Sequence, residues 1–292
     1  MSMDRRTALW TLGAGGLTLL GARPSSAAPS SAGETYSLSV GGKSLGLVNT
    51  FKPSSNRLGP FKATVNISQA GELLEWIESI WKKTTPKVSF AIDVGDSSGK
   101  LKRRLTMQGC IVKQVSLPKL AAKDGKKHFD IAVEWEVEDL KFEKGDGKAA
   151  SAPKPSFADW LTSNFTTNIP GISSSDVLSV QLPTLARHPT RHYTGYTVSG
   201  LKTEHTPAGF EAALAMAKKV LKDGAISDSE YADWGVDIKD QTTKKKLGSA
   251  SFARARPVKF KPASKGGKDG STHAFVEWVV EEFDFKILKK PQ

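Results

Sequence analysis

The sequence predicts a mainly β protein that consists of two tandem antiparallel β-sandwich or β-barrel domains, each with one packed helix. The first observation is an internal repeat, because residues 133–138 read VEWEVE and residues 276–281 read VEWVVE. The second is the alternation of apolar and polar residues around the first of these segments, which is typical of a strand with one buried face. The third is one stretch of helical periodicity in each half of the chain.

The repeat extends well beyond its two anchor segments. Apolar and acidic positions of the two halves coincide at an offset of 143 residues or, upstream of a single-residue gap, of 144 residues. The coinciding pairs are Leu140 and Phe283, Phe142 and Phe285, Phe90 and Trp234, and Asp93 and Asp237. A duplicated domain explains this pattern. The two units are called copy 1 and copy 2.

Both copies contain the same predicted elements in the same order. Copy 1 opens with a hairpin signature over residues 36–48, where apolar residues alternate with serines before a Gly-Gly-Lys turn. Amphipathic helices are predicted over residues 70–83 and 210–221. The predicted apolar stripe of the second helix consists of Leu214, Ala217 and Leu221. Long basic arms at residues 100–117 and 244–260 supply the partners of the final strands.

The final strand of copy 1 alternates over residues 129–138. One face is apolar and consists of Phe129, Ile131, Val133, Trp135 and Val137. The other face carries three glutamates, which predicts that this side of the sheet is wet. In copy 2, Val279 takes the place of Glu136, so that stretch is expected to be covered on both faces.

The chain begins with the features of a signal peptide. Arg5 and Arg6 precede an apolar run at residues 8–22 and a small-residue stretch. The run is shorter than the roughly 20 apolar residues that span a bilayer, which favours cleavage over anchoring. The prediction is a signal peptide of the twin-arginine type over residues 1–32, with cleavage after Ala27, Ala28 or Ala32. The mature chain is expected in the periplasm or outside the cell, with no transmembrane segment.

Residues 144–156 are rich in Gly, Ala, Pro and Lys and lack apolar periodicity, which predicts a linker. Copy 1 then covers residues 33–143 and copy 2 covers residues 157–292. The formal net charge of the whole chain is +12, which points to solubility and to anionic partners rather than to a fold. The single cysteine, Cys110, excludes an intrachain disulfide, and its place in a predicted strand favours a buried, unreactive thiol.

No set of residues predicts catalysis, a cofactor or a metal. His188 and His192 stand four apart, with Glu204 and His205 further on, but Pro189 disfavours a regular helix there. Two arginines next to these histidines also disfavour a divalent cation. No serine lies in a Gly-x-Ser-x-Gly elbow, and a row of alike glutamates has no environment that separates their pKa values. The chain is therefore predicted not to be an enzyme.

Basic clusters recur at the predicted turns of both copies. The candidate contacts for an anionic partner are Lys100, Lys102, Arg103, Arg104, Lys244, Lys245 and Lys246. Nucleic acid is disfavoured as this partner, because the clusters have almost no aromatic residues on which bases could stack.

Several segments together are similar to one known family. Residues 251–260 read SFARARPVKF and lead through a Gly/Lys loop to FVEWVVE at residues 275–281, and copy 1 has GCIVKQVSLP at residues 109–118 before its acidic strand. This arrangement resembles the closing segment of phage tail tube proteins and their relatives in contractile injection machines and type VI secretion tubes. Residues 73–81 resemble the Trp-containing helix of that family, and residues 36–48 its opening hairpin.

The resemblance implies that each copy supplies long strands to a ring of six such domains around a central channel, so that a trimer of two-copy chains completes one ring. It makes the acidic row a candidate for the channel wall or for ring contacts. That row consists of Glu134, Glu136, Glu138, Glu277 and Glu281. Tail tube proteins assemble inside the cell without an export signal, so the predicted signal peptide implies a fold redeployed outside the cytoplasm.

Two functions follow as hypotheses. The first is an exported structural protein that self-assembles into a ring or tube, with itself and with injection-machine or envelope components as partners. The alternative is a periplasmic or surface binding module that uses its basic loops on an anionic glycan, lipid or protein. Particle size and elution from a heparin-like matrix separate these two hypotheses.

Overall fold

Alternating apolar residues dominate both halves, and both halves fold into strands. The computed structural model describes residues 34–41, 43–52, 58–67, 73–74, 77, 87–125, 127–148, 160–187, 196–222, 231–262 and 273–288. The strands of copy 1 are β1 (Thr35–Val40), β2 (Lys43–Lys52), β3 (Phe61–Asn66), β4 (Val88–Gly95), β5 (Leu101–Ser116), β6 (Lys119–Ala121), β7 (Asp130–Glu136) and β8 (Asp139–Lys144). Those of copy 2 are β9 (Phe165–Thr167), β10 (Val177–Gln181), β11 (Thr184–Arg187), β12 (Tyr196–Ser199), β13 (Lys202–His205), β14 (Ala232–Lys239), β15 (Lys246–Pro262), β16 (Ala274–Val279) and β17 (Glu282–Ile287). The helix α1 spans Pro207–Lys222.

The first sheet closes on itself. β4, β1, β2, β3, β7 and β5 pair in that order, and β5 pairs again with β4, so six antiparallel strands form a barrel. Inward-facing side chains fill it, because successive residues of a strand point to opposite faces. Phe61, Phe90, Met107, Ile131 and Trp135 are all buried there.

The strands of the second sheet pair in the order β10, β13, β16, β15, β14 and β9. In this order β15 lies between β16 and β14, as β5 lies between β7 and β4. Its interior contains Val180, Val236, Phe252, Val276 and Trp278, each buried. The mainly β class with two barrel-like antiparallel sheets is therefore confirmed. The boundaries proposed for the two domains stay a prediction, since strands of each copy also join the sheet of the other.

The long strands β5 and β15 share their irregularities as well as their partners. Each has a bulge where it passes its final strand, between Val112 and Gln114 in β5 and between Pro257 and Lys259 in β15. A second bulge contains a residue with positive φ in each copy, Gly109 at 62° and Arg254 at 51°. These positions coincide at one constant offset, and bulges are specific features of a fold rather than defects.

The two cores also repeat one aromatic pair. Phe90 meets Trp135 edge to face with ring centroids 5.1 Å apart, and the equivalent Trp234 meets Trp278 at 5.3 Å. The hydrogen bond of the indole differs, because Trp135 donates to Sδ of Met107 and Trp278 donates to a threonine hydroxyl. The copies therefore share packing but have diverged in polarity.

The helix α1 confirms the helix predicted for copy 2, with a different buried stripe. Ala213 and Ala217 are buried, whereas Leu214 is only partly covered. The hydroxyl of Thr206 accepts a hydrogen bond from the amide of Gly209, 3.3 Å away, which caps the first turn. The helix predicted over residues 70–83 lies largely outside the described residues.

The opening hairpin of copy 1 is confirmed, because β1 pairs with β2 and Val40 lies opposite Lys43. The prediction for Val279 is wrong: 46% of this side chain is exposed in the single chain. The predicted signal peptide, most of the linker, His188 and His192 lie outside the described residues. Across the parts of the chain that are described, no helix is long and apolar enough to cross a membrane.

Candidate assembly interface

Two short strands cross between the copies. β6 from copy 1 pairs with β10 from copy 2, with Leu120 opposite Val180. In return, β11 from copy 2 pairs with the end of β5 from copy 1, with Leu185 opposite Val115. The hairpin partner β12 extends this sheet by one more strand. Each copy thus adds a strand to the sheet of the other, and both additions are antiparallel ladders of backbone hydrogen bonds.

The chain after β6 also binds the segment that leads into β9. The amide of Ala121 donates to the carbonyl of Thr162 at 3.0 Å, and the amide of Phe129 donates to the carbonyl of Trp160 at 2.9 Å. The amide of Thr162 donates back to the carbonyl of Lys127 at 2.9 Å. Copy 1 therefore supplies backbone at the place where the copy 2 sheet ends beside β10.

Aromatic side chains seal this contact. The ring of Phe129 from copy 1 meets Trp160 edge to face at 6.0 Å and stacks with Phe285 of β17 at 5.9 Å. The hydroxyl of Tyr196 in β12 donates to the carbonyl of Phe283 at 2.9 Å, which links the crossing hairpin to β17. Such aromatic pairs contribute about 0.5–1.5 kcal/mol each beyond the area they bury.

A charged cluster lies in the same interface. Glu204 in β13 is buried, and its Oε2 accepts from Nζ of Lys119 at 3.1 Å and from the hydroxyl of Ser179 at 2.7 Å. Its Oε1 lies 3.0 Å from Nδ1 of His273. Burial alone would raise the pKa of Glu204, but the hydrogen bonds from Ser179, Lys119 and His273 and the charge of Lys119 lower it overall. The carboxylate thus remains charged inside the contact, because partners satisfy both of its oxygens.

The opposite face of β13 carries a second buried polar group. The hydroxyl of Thr203 lies 2.6 Å from Nε2 of His205 and accepts a hydrogen bond from Trp278 at 2.7 Å. His205 is fully buried, and burial lowers its pKa to about 4. The ring is therefore neutral at pH 7. Three successive polar residues of one strand are buried, which indicates that β13 is covered on both faces.

Lysine and arginine side chains accompany the predicted acidic row. In copy 1, Glu134 lies 2.6 Å from Lys62, Glu136 lies 3.0 Å from Lys113 and Glu138 lies 2.6 Å from Lys87. In copy 2, Glu277 lies 3.2 Å from Lys202 and Glu281 lies 2.5 Å from Arg254. Glu134 and Glu136 lie on β7 and Glu277 lies on β16, whereas Glu138 and Glu281 follow these strands. A cationic side chain lies beside each carboxylate. Its role in a channel or ring contact stays a proposal.

The predicted anion contacts divide into two groups. Arg104 binds Asp93 with two hydrogen bonds of 2.6 and 2.8 Å, and Lys246 lies 2.7 Å from Asp237, the equivalent of Asp93 in copy 2. Arg103 lies 3.6 Å from Glu34. The other four are exposed without an ion pair to any residue that the structure describes, and they are Lys100, Lys102, Lys244 and Lys245.

The same acid-capped turn presents the exposed lysines in both copies. Asp96 accepts hydrogen bonds from the amides of Ser98 and Lys100, and Asp240 accepts from the amides of Thr242 and Thr243. Hydrogen bonds from Ser98 and Thr243 respectively are the main reasons why the pKa values of these two carboxyls are lowered. Each turn is therefore built by its own aspartate.

Exposed apolar side chains are a feature that the sequence alone did not single out. Those of the described residues are Leu58, Phe142, Val258, Phe275 and Val279. For Phe142, the repeat could have indicated a contact surface, because its equivalent Phe285 packs in the contact between the copies. The burial of Glu204 had no local signal, since its cationic partner comes from the other copy.

Cys110 is fully buried, and burial raises the pKa of its thiol to about 12, so the prediction of an unreactive thiol agrees with its environment. Glu204 and His205 point to opposite faces of β13 and do not converge. Within the described ranges, no group of three or more His, Cys, Asp or Glu side chains is placed to hold a metal ion.

Comparison with known proteins gives similarity to solved structures alone. No protein-family model matches the chain, and no curated protein sequence matches it. Among solved structures, the chain is similar to the Hcp1 protein from the E. coli EAEC 042 pathovar, solved as a mutant with two tryptophan substitutions. The match has 14% sequence identity and a TM-score of 0.28, and it covers 39% of this chain and 93% of that chain. Similarity at this level supports no conclusion about function.

Proposed function

We propose that this chain is an exported structural protein whose two tail-tube-like copies self-assemble into a ring or tube. The observation that carries the proposal is the contact between the copies, in which copy 2 adds β11 to the edge of β5 in copy 1. This contact is head to tail, because the surface that copy 2 presents differs from the surface of copy 1 that receives it. A head-to-tail contact generates rings when its rotation closes and filaments when it does not.

The proposal extends this contact from within one chain to successive chains. A chain with two equivalent copies contributes two units, so three chains complete a ring of six. The acidic row, on β7 and β16 and at the residues that follow them, is the proposed channel or ring-contact face. Residues 1–32 are the proposed export signal, which places the assembly in the periplasm or outside the cell, with envelope components as further partners. No catalytic role is proposed.

The test is the mass of the mature chain, residues 33–292, measured by light scattering and sedimentation over a concentration series. Particles of three or more chains with a ring or tube shape in negative-stain images are the expected result. A monomer at every concentration would rule out self-assembly as an intrinsic property of the protein.

A second candidate function has its own observation. The exposed Lys100 and Lys102 in copy 1, and Lys244 and Lys245 in copy 2, extend from the two acid-capped turns. A monomeric binding module would use them on an anionic glycan or lipid headgroup. That function predicts a single chain that elutes from a heparin-like matrix only at raised salt, and loss of this retention when all four lysines are replaced by glutamine.

A further inference from the structure

β5 and β15 are equivalent strands, but among the described residues only β5 has strands along both sides of its end. In copy 1, β7 covers one side of the end of β5 and β11 from copy 2 covers the other. In copy 2, β16 covers one side of residues 259–261, which correspond to residues 114–116 of copy 1. Along the other side, no strand among the described residues pairs with them. Residues 259–261 are called the copy 2 edge.

Exposed apolar side chains surround the copy 2 edge. Val258, at the bulge that precedes it, is 47% exposed. Two residues of β16 are also exposed. Phe275, opposite Lys261, is 37% exposed, and Val279, opposite Arg256, is 46% exposed. A strand edge with apolar neighbours is a template for another strand, and natural proteins cover or blunt such edges. Phe260 packs on Phe210 of α1 with ring centroids 6.0 Å apart, but no described strand pairs with this edge.

Copy 1 carries a candidate for the matching surface. Phe285 in β17 lies opposite Ala250, and its equivalent Phe142 in β8 lies opposite Leu105. Phe285 stacks on Phe129 in the contact between the copies. Phe142 stacks on no ring of the described residues and is 65% exposed. Copy 1 thus presents the equivalent of the β17 part of the surface that copy 2 uses inside the chain.

We propose that the copy 2 edge, with Val258, Phe275 and Val279, receives copy 1 of a second chain through the β8 surface around Phe142. The inference rests on the proposed self-assembly and names the surfaces that would carry it. Continuity with the contact inside the chain selects this occupant, because the copy 2 edge is the equivalent of the β5 edge, β8 is the equivalent of β17, and both β5 and β17 take part in that contact.

Charge at the edge selects the head-to-tail arrangement. Lys259 and Lys261 each lie 3.9 Å from Glu277, so two lysines share one carboxylate that also binds Lys202. If two such edges paired with each other, their lysines would meet, and like charges on facing strands are destabilising. Pairing of the edge with itself is thereby disfavoured, whereas pairing with the different surface of copy 1 is not.

The first test changes the edge without changing the fold. A double variant, Val258→Lys with Val279→Lys, places two charges on the proposed contact. Ser251→Lys is the matched control, because Ser251 is exposed on the same strand but lies between β14 and β17. We expect the double variant to weaken association about tenfold or more and the control to assemble like the parent chain. Circular dichroism and an unreactive Cys110 verify folding of each chain.

Complementation tests direction. Phe142→Glu removes the β8 surface of a chain with an intact edge, and the edge variant has the converse defect. Each alone is expected to stay monomeric, and an equimolar mixture is expected to form a dimer and nothing larger. The inference would be overturned if the edge variant assembled at the same concentration as the parent chain, or if the mixture stayed monomeric. In either case, particles of the parent chain would still support self-assembly. A parent chain that is monomeric throughout would overturn both.

Discussion

Nζ of Lys119 in copy 1 lies 3.1 Å from Oε2 of Glu204 in copy 2. The two residues are 85 positions apart and belong to different copies, although β6 and β13 are strands of the same sheet. Their contact joins the copies by charge at the place where β6 and β10 join them by backbone hydrogen bonds. The pair is therefore a direct probe of how firmly the two copies hold each other.

Replacement of Lys119 by Met is expected to lower the free energy of unfolding by about 2 kcal/mol, because a buried carboxylate loses a charged hydrogen-bond donor. The measurement is urea unfolding of the parent, Lys119→Met, Glu204→Gln and the double variant at pH 7. In the double variant, part of the loss is expected to return, since no buried charge then lacks its partner. Additive losses within about 0.5 kcal/mol would show that the pair is not coupled.

His205 predicts a specific loss of stability in weak acid. Its folded pKa, about 4, lies below its ordinary value of 6.5, so the unfolded chain binds a proton more readily. The contribution of the neutral His205 ring to the free energy of unfolding is complete above pH 6.5. It decreases as the pH falls towards 4, by about 3 kcal/mol in total. His205→Gln is expected to narrow its stability gap to the parent chain over this range, as measured by urea unfolding at pH 7.5, 6 and 5. A constant gap would contradict the assignment.

Cys110 is expected to resist thiol reagents in the folded chain. Its Sγ donates to the carbonyl of Met107 at 3.3 Å inside the copy 1 barrel. A colorimetric thiol assay is expected to detect no rapid reaction in buffer and one thiol per chain in denaturant. Rapid labelling of the native chain would mean that the first barrel opens at that point.

Copy 2 is expected to depend on copy 1 for its fold. Without copy 1 it loses β6, the bonds to Thr162 and the cation beside Glu204. Residues 157–292 produced alone are expected to aggregate or to unfold without cooperativity. Residues 33–143, which retain a closed barrel, are the matched control, and co-production of both halves is expected to restore a soluble complex. An isolated copy 2 with the unfolding midpoint of the full chain would contradict the strand exchange.

The long elements could be predicted because their signals are local. Period-two alternation predicted β7, a Gly-Gly turn predicted the hairpin of β1 and β2, and the repeat predicted that β15 and β16 would pair as β5 and β7 do. The register follows as well, since a slip by one residue would turn a whole apolar face outward.

The contact between the copies could not be predicted, because its elements are short and its partners distant. β6 contains three residues, too few for any periodicity, and it becomes a strand only against β10. In the sequence, Glu204 resembles an ordinary exposed glutamate, because its partners Lys119 and Ser179 are not its neighbours along the chain. Val279 follows the apolar pattern of a covered strand, but it is 46% exposed among the residues that the structure describes.

Hydrogen exchange of the copy 2 edge tests the central claim most directly. Backbone amide exchange is followed by mass spectrometry over a concentration series, together with particle mass. The account predicts that residues 114–116 are protected at every concentration, whereas residues 259–261 gain protection only as particles form. Particles that form while residues 259–261 exchange as fast as in the single chain would contradict it.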